Sequence, residues 1–196
     1  MGNKIAVFTG SRAEYGLLYW LLKSLVAEPS IDQKLIVSAM HLSPEFGLTV
    51  KQIEKDGFEI SEKIEMLLSS DTTIGVTKSI GVGIISFGEV LDRLKPELLI
   101  ILGDRFEALA MATAATIMGV PIMHLHGGEI TEGAYDDSIR HAITKFSHLH
   151  GVSSESSRRR VIQLGEDPRH VFTIGALGIE HIYKNKLVSL SKVEKS

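Results

Sequence analysis

The chain has no cysteine among its 196 residues. A disulfide framework, a thiol nucleophile and a thiolate-built zinc site are therefore excluded, and the composition suits a reducing, cytoplasmic setting. Neither sign of charge is in large excess: 21 Lys and Arg against 24 Asp and Glu leave a formal net charge of -3. No global positive field draws such a chain to nucleic acid or to an anionic membrane, so an anionic ligand has to be held by local groups. No stretch reaches the roughly 18 consecutive apolar residues of a membrane span, and the opening MGNKIAVFTG is too brief for a signal h-region. GxGxxG and GxxxxGK[ST] are both missing, which removes the usual fingerprints of dinucleotide binding and of P-loop ATP hydrolysis.

What is present is an alternation of strand-length apolar runs with longer segments of helical period, the pattern of βαβ units around a parallel sheet. Strands are expected at 4–9, 35–41, 58–64, 98–102, 120–125, 151–153 and 171–174. Helices are expected from Arg12 to Pro29 and at 48–56, 73–94, 105–118, 136–149 and 155–164. The fold class is α/β, a Rossmann-like doubly wound parallel sheet occupying 1–176. The polar stretch 177–196 reads as a linker or tail. Gly75, Gly81, Gly83 and Gly88 inside one helix imply close packing or a break, because each costs up to about 1 kcal/mol against Ala. Met111, Met118 and Met123 read as core filling, the Arg158-Arg159-Arg160 run as a solvated face, and His148 and His150 as structural.

In an open parallel sheet, ligands bind beyond the carboxyl ends of the strands. Three such ends carry polar clusters here. Gly10-Ser11-Arg12 follows the first strand, where either an anion meets a helix N-terminus or Ser11 simply caps the helix. Asp104 and Arg105 follow LLIIL, either as a cap with a solvated arginine or as a tuned carboxylate beside a phosphate-binding cation. His124, His126 and Glu129 follow the fifth strand, with Asp136 and Asp137 shortly after. This last cluster supports proton transfer, metal ligation or simple packing, and of these proton transfer is favoured. Arg140, four residues after Asp136, is spaced to orient that carboxylate along one helix face.

Taken together, GSRAEYGLL, LLIILGDRFEALAMATAA and IMHLHGGEITEGAYDDSIRHAITKFSHLH closely resemble the hydrolysing UDP-N-acetylglucosamine 2-epimerases of sialic-acid and related nonulosonic-acid synthesis. The likeness covers 4–182, with three motifs in the same order. It implies one half of a glycosyltransferase-B type fold, with a UDP-sugar held between two Rossmann-like domains. The chemistry implied is loss of UDP across C1 and C2 to give 2-acetamidoglucal, then addition of water to give N-acetylmannosamine. By motif match, Asp104 and Asp136 are catalytic carboxylates and Arg140 supports Asp136. Arg12 and Arg105 touch the diphosphate, with Ser11 and His124 beside them as substrate-binding residues. Some members carry a glutamate where this sequence has His126, so proton transfer falls to His126 or to Glu129. The resemblance implies no metal or nicotinamide cofactor, and it implies a dimeric tendency. The alternatives from other classes are a non-catalytic nucleotide-sugar binding domain and a glycosyltransferase of the same architecture.

Overall fold

The computed structural model describes residues 2–70, 72–131 and 135–179. Seven parallel strands form one sheet: β1 (Asn3–Thr9), β2 (Ile31–Ser38), β3 (Ile60–Ile64), β4 (Leu98–Leu102), β5 (Ile122–Leu125), β6 (Leu149–Val152) and β7 (Val171–Thr173). Their spatial order is β3-β2-β1-β4-β5-β6-β7. The chain therefore runs outward from β1 to β3, then crosses back to β4 and runs outward the other way. This reversal between β1 and β4 opens a crevice at their carboxyl ends.

Six helices link the strands: α1 (Arg12–Ala27), α2 (Val50–Lys55), α3 (Thr73–Leu94), α4 (Phe106–Ile117), α5 (Asp136–Phe146) and α6 (Glu155–Gln163). Alternate strand residues face opposite layers, because successive side chains of a strand point to opposite sides. Ala6, Phe8, Leu99 and Ile101 pack under α3, α4 and α5 through Phe87, Met111 and Ile143. Val7, Leu35, Ile100 and Leu102 pack under α1 and α2 through Leu18, Leu22 and Ile53. Each face of the central strands is thereby dry, which is why LLIIL reads as an unbroken apolar run.

α3 is unbroken over the span expected for it. Gly83 accounts for part of its glycine content: an added Cβ would lie 2.8 Å from Met66 and 3.2 Å from Ala110, so the α3–α4 packing needs a residue without one. By length and mean hydropathy, 1.4 over its best window, α3 also satisfies the composition of a membrane span. The run-length reading does not register this, since Thr, Lys, Ser and Gly interrupt the apolar residues. In the fold the helix lies on the sheet through Phe87, Val90 and Leu91.

Several expected boundaries are corrected. β2 begins at Ile31, which pairs with Asn3, and ends at Ser38. Ala39 then turns to a positive φ of 53° and starts a 3-10 turn that carries His41 out of the sheet. α5 stops at Phe146, and Leu149 already belongs to β6. Met118 is 42 % exposed at the end of α4 and fills no core. The arginine run is not a free face either: Arg158 donates to the carbonyls of Val171 and Pro168, and Arg160 to that of Gly128. The expected edge at 176 falls inside a described turn whose Leu177 packs on the α1 side of the sheet. Residues 180–196 of the expected tail lie outside the described residues.

Candidate active site

The strand tips and the start of α5 bring parts of the three polar clusters to one place. A cleft of about 500 Å³ lies at the β1/β4 reversal, and Ser11, Glu14, Gly103, Asp104, Arg105 and Asp136 are among the residues that line it.

The wall from β1 is a helix start. Ser11 is the N-cap of α1: its hydroxyl accepts from the Glu14 N–H at 3.4 Å, while Glu14 Oε2 accepts from the N–H groups of Gly10 at 2.7 Å and Ser11 at 3.1 Å. This reciprocal capping box, spelled Ser11-x-x-Glu14, satisfies the donors that a helix start leaves open. Of the two readings of Ser11, the structure shows the cap. The N–H groups of Arg12 and Ala13 remain without an intrahelical acceptor at the positive end of the helix dipole. The Arg12 side chain is exposed and lines a neighbouring groove with Tyr15, Tyr19 and Lys51. The structure thus does not bring Arg12 together with Arg105.

The floor comes from β4. Gly103 leaves the strand with a φ of 83°, which a residue lacking Cβ adopts freely, and sets Asp104 at the mouth. Asp104 caps nothing, since the N-cap of α4 is Arg105. The Asp104 carboxylate pairs with the Arg140 guanidinium and is 3.4 Å from Thr131 Oγ1. Burial lifts its carboxyl above the ordinary carboxylate range and the charge of Asp136 adds to this, while Arg140 opposes them. Arg105 donates through Nε to Glu107 Oε1 at 2.6 Å.

The far wall comes from β5 and α5. Arg140 is 5 % exposed and holds four groups: Asp104, Thr131 Oγ1 at 2.8 Å, the Glu129 carbonyl at 2.8 Å, and Asp137 at 3.7 Å. Its expected service to Asp136 is corrected, because the guanidinium pairs with Asp104 and, in its own helix, lies near Asp137. Asp136 nevertheless lines the cleft and acts electrostatically on both Asp104 and Arg105.

His124 and His126 part company. His126 adopts a φ of 63°, so the strand's alternation ends before it. His124 stays in the sheet with no exposure; its Nε2 contacts the Gly103 carbonyl at 2.8 Å and its Nδ1 the Thr144 hydroxyl at 3.1 Å. Its expected substrate contact is therefore corrected. His124 fixes the β4 tip from beneath, and burial pushes its imidazole down to about 3. His126 Nδ1 lies 3.2 Å from Glu129 Oε1, and its Nε2 accepts from the Leu177 N–H at 3.4 Å. Burial also lowers the His126 imidazole, with Glu129 pulling the other way, so the ring is neutral at neutral pH. With Nε2 as an acceptor, the proton of the neutral ring sits on Nδ1 and points to Glu129. Among the described residues no group of three or more His, Asp or Glu side chains is placed to hold a metal ion.

The residues that sequence reasoning passed over are Glu14, Glu107, Thr131 and Arg160. Glu14 was signalled by the capping-box spacing. Thr131 and Arg160 meet their partners only across the fold, while Glu107 takes Arg105, two residues before it.

Comparison with known proteins agrees with this fold. Residues 23–196 match the family model described as UDP-N-acetylglucosamine 2-epimerase. The chain is 42% identical to the GDP/UDP-N,N'-diacetylbacillosamine 2-epimerase (hydrolyzing) of Campylobacter jejuni, over 99% of this chain and 50% of that protein. It is 40% identical to the polysialic acid biosynthesis protein P7 of Escherichia coli, over 98% of this chain and 49% of that one. The chain thus spans about half the length of the curated relatives it matches. In fold it is similar to the UDP-GlcNAc 2-epimerase of Neisseria meningitidis bound to UDP-GlcNAc, with a TM-score of 0.82 at 17% identity, over 98% of this chain and 52% of that one. Its doubly wound sheet is one half of the glycosyltransferase-B architecture of such enzymes. With the family model covering most of its length and the motif residues gathered at one switch-point cleft, the chain belongs to the UDP-N-acetylglucosamine 2-epimerase family.

Proposed function

We propose that this chain is the N-terminal half of a hydrolysing 2-epimerase that converts a UDP-2-acetamido sugar, UDP-GlcNAc in the first instance, to the free manno-configured sugar and UDP. The carrying observation is that Asp104, Arg105 and Asp136 line one crevice at the β1/β4 reversal, with Arg140 tying Asp104 to the Glu129 carbonyl in the loop that carries the His126–Glu129 pair. In this reading the diphosphate sits at the start of α1 and against Arg105, where a helix dipole and a guanidinium favour an anion. Arg12, at the exposed first residue of α1, lines the neighbouring groove instead.

The reaction needs a base for the proton on C2 and charge neutralisation for the departing UDP. The His126–Glu129 pair supplies the base, with His126 Nε2 acting once its 3.4 Å contact with the Leu177 N–H opens and Glu129 orienting the ring and stabilising the imidazolium formed. The C2–H electrons become the C1–C2 double bond, and the C1–O bond breaks with its electrons leaving on UDP. Water then adds, its oxygen to C1 and a proton to C2 from the opposite face. Asp104 and Asp136 flank that face. Asp104, half-buried and with its carboxyl raised, is suited to pass the proton, and Asp136 tunes it by charge. No metal or redox cofactor enters these steps.

Two of the matched relatives, about 40% identical, carry N,N'-diacetylbacillosamine in their names, which favours a 2,4-diacetamido sugar as a second substrate reading. Residues 177–196 lead, in this proposal, toward a second domain that closes the cleft over the uridine. A cytoplasmic homodimer is the expected setting. Phosphorus NMR of the full-length protein with UDP-GlcNAc and with the UDP-2,4-diacetamido sugar tests it, with the sugar product identified by proton NMR. Free UDP with a manno product is expected from one of them. UDP bound without turnover would make this a binding domain, and sugar appearing only on an acceptor would make it a glycosyltransferase.

A further inference from the structure

Two carboxylates beneath the crevice take no part in the chemistry above. Glu14 stands in the first turn of α1 and Glu107 in the first turn of α4. Glu107 has no exposure and Glu14 has 5 %. They approach each other because Gly10 lies between the helix starts without a side chain: a Cβ there would sit 2.5 Å from Glu107 Cγ and 2.9 Å from its Oε1.

Each carboxylate uses one oxygen to hold part of the proposed diphosphate seat. Glu14 Oε2 takes the N–H groups of Gly10 and Ser11, which sets the first turn of α1. Glu107 Oε1 takes Arg105 Nε, which fixes the guanidinium plane, with Nη2 3.2 Å from Met40 Sδ. The second oxygens, Glu14 Oε1 and Glu107 Oε2, are buried with no hydrogen-bond partner among the described residues. Two ionised carboxylates against one guanidinium would leave an excess negative charge in a dry site, which is costly there. One proton held between them removes the excess, and it also gives an orphaned oxygen something to donate.

The surroundings bear on the same point. Burial, and then the charge of Glu107, push the Glu14 carboxyl up to about 8, against the Gly10 and Ser11 N–H groups and Arg105. The other ionisable groups nearby are Asp136, which acts on Arg105, and Asp104, which is paired with Arg140. His41 contacts Thr9 Oγ1 at 3.1 Å and is pushed down to about 4 by burial, so it brings no charge at neutral pH.

We propose that Glu14 and Glu107 are positioning residues that share one proton beneath the diphosphate seat, Glu107 aiming Arg105 and Glu14 setting the α1 start, so that loss of the proton weakens binding of a nucleoside diphosphate. This rests on the reading of the crevice as a UDP site. A bound diphosphate and an ionised Glu14 repel each other across a short, poorly screened path, so the protonated pair is the binding-competent form.

Calorimetric titration of the full-length protein with UDP from pH 7 to pH 9 reads this linkage. The Kd should rise about fivefold across that range as the proton is lost. Glu14→Gln, which keeps the shape and cannot ionise, should flatten the profile. Glu107→Gln removes the repelling charge and should move the break to lower pH without flattening it. UDP binding that is flat with pH in the unsubstituted protein, or a slope unchanged in Glu14→Gln, overturns the proposal while leaving the UDP site intact. If UDP does not bind at any pH, the crevice reading fails. The pair is then decided by carbon NMR of protein labelled at the glutamate carboxyl carbons. One glutamate should titrate well above the ordinary carboxylate range, and a set of glutamates all titrating within that range overturns the shared proton.

Discussion

Arg140 reaches from α5 to the carboxylate of Asp104, which lines the crevice at the tip of β4. The same guanidinium holds the Glu129 carbonyl and the Thr131 hydroxyl, so it ties the β4 tip to the loop after β5. Asp104 and the His126–Glu129 pair are therefore held at a fixed separation by one side chain.

Removing that tie should cost stability as well as function. Arg140→Ala leaves a half-buried Asp104 and two loop acceptors unpaired, and a loss of about 3 kcal/mol is expected. Asp104→Asn keeps an acceptor for the guanidinium and should cost no more than about 1 kcal/mol. Urea unfolding of both variants checks the order. Equal costs would show that Arg140 does not bind the two strand tips together.

Kinetics should separate the chemical groups from the anion seat. Under the proposed mechanism His126→Asn and Asp104→Asn each lower kcat by about 100-fold or more, because each loses a positioned proton carrier. UDP affinity should stay within about threefold of the unsubstituted value in both, since neither group is assigned to the diphosphate. Arg105→Ala should do the reverse in part, weakening UDP by about tenfold or more through loss of a charged donor. A His126→Asn variant of normal kcat would remove His126 from the role of base.

The loop after β5 offers a test that is independent of activity. Gly128 has a φ of 73°, and a Cβ on it would sit 2.4 Å from the backbone oxygen of Ser157. Neither the backbone angle nor the helix carbonyl can yield cheaply, so Gly128→Ala should destabilise by about 2 kcal/mol or more. It should also displace Glu129 from His126. Arg160→Ala, which loses only the 2.8 Å bond to the Gly128 carbonyl, should be milder at about 1 kcal/mol. Thermal unfolding of the two variants gives the comparison, and a neutral Gly128→Ala would contradict the tight approach of α6.

How far the sequence was legible follows from where each signal lies. α3 and β4 could be placed to the residue because their apolar runs are bounded by local stops, Pro96 among them. β2 was misjudged because its start is fixed by pairing with Asn3 while its first residues, Asp32 to Lys34, are polar. That Asp104 and Arg105 meet the start of α1 at one crevice was readable, since it depends only on strand ends and connection order. Partnerships inside the crevice were not. The spacing of Asp136 and Arg140 is a local rule, and it was overridden by a carboxylate 36 residues away on another strand. His124 and His126 looked equivalent because nothing local announces that the backbone turns to a positive φ at His126.

Two buried groups should pull the pH dependence of stability in opposite directions. His124 is pushed down to about 3 in the fold, from an ordinary value of about 6.5 in the unfolded chain. Between those values the unfolded state binds the proton and the folded state does not, so stability falls as pH falls, by up to about 1.4 kcal/mol for each pH unit. Glu14 is pushed up to about 8, so between its ordinary value and that one the folded state binds the extra proton and stability falls as pH rises. Urea unfolding at a series of pH values should therefore give a maximum at mildly acid pH, with a decline on both sides. His124→Gln, which offers an amide to the Gly103 carbonyl, should flatten the acid limb while lowering stability at the maximum. Glu14→Gln should flatten the limb toward pH 8. If His124→Gln leaves the acid limb as steep as before, the imidazole is not the neutral buried strut that its two contacts describe.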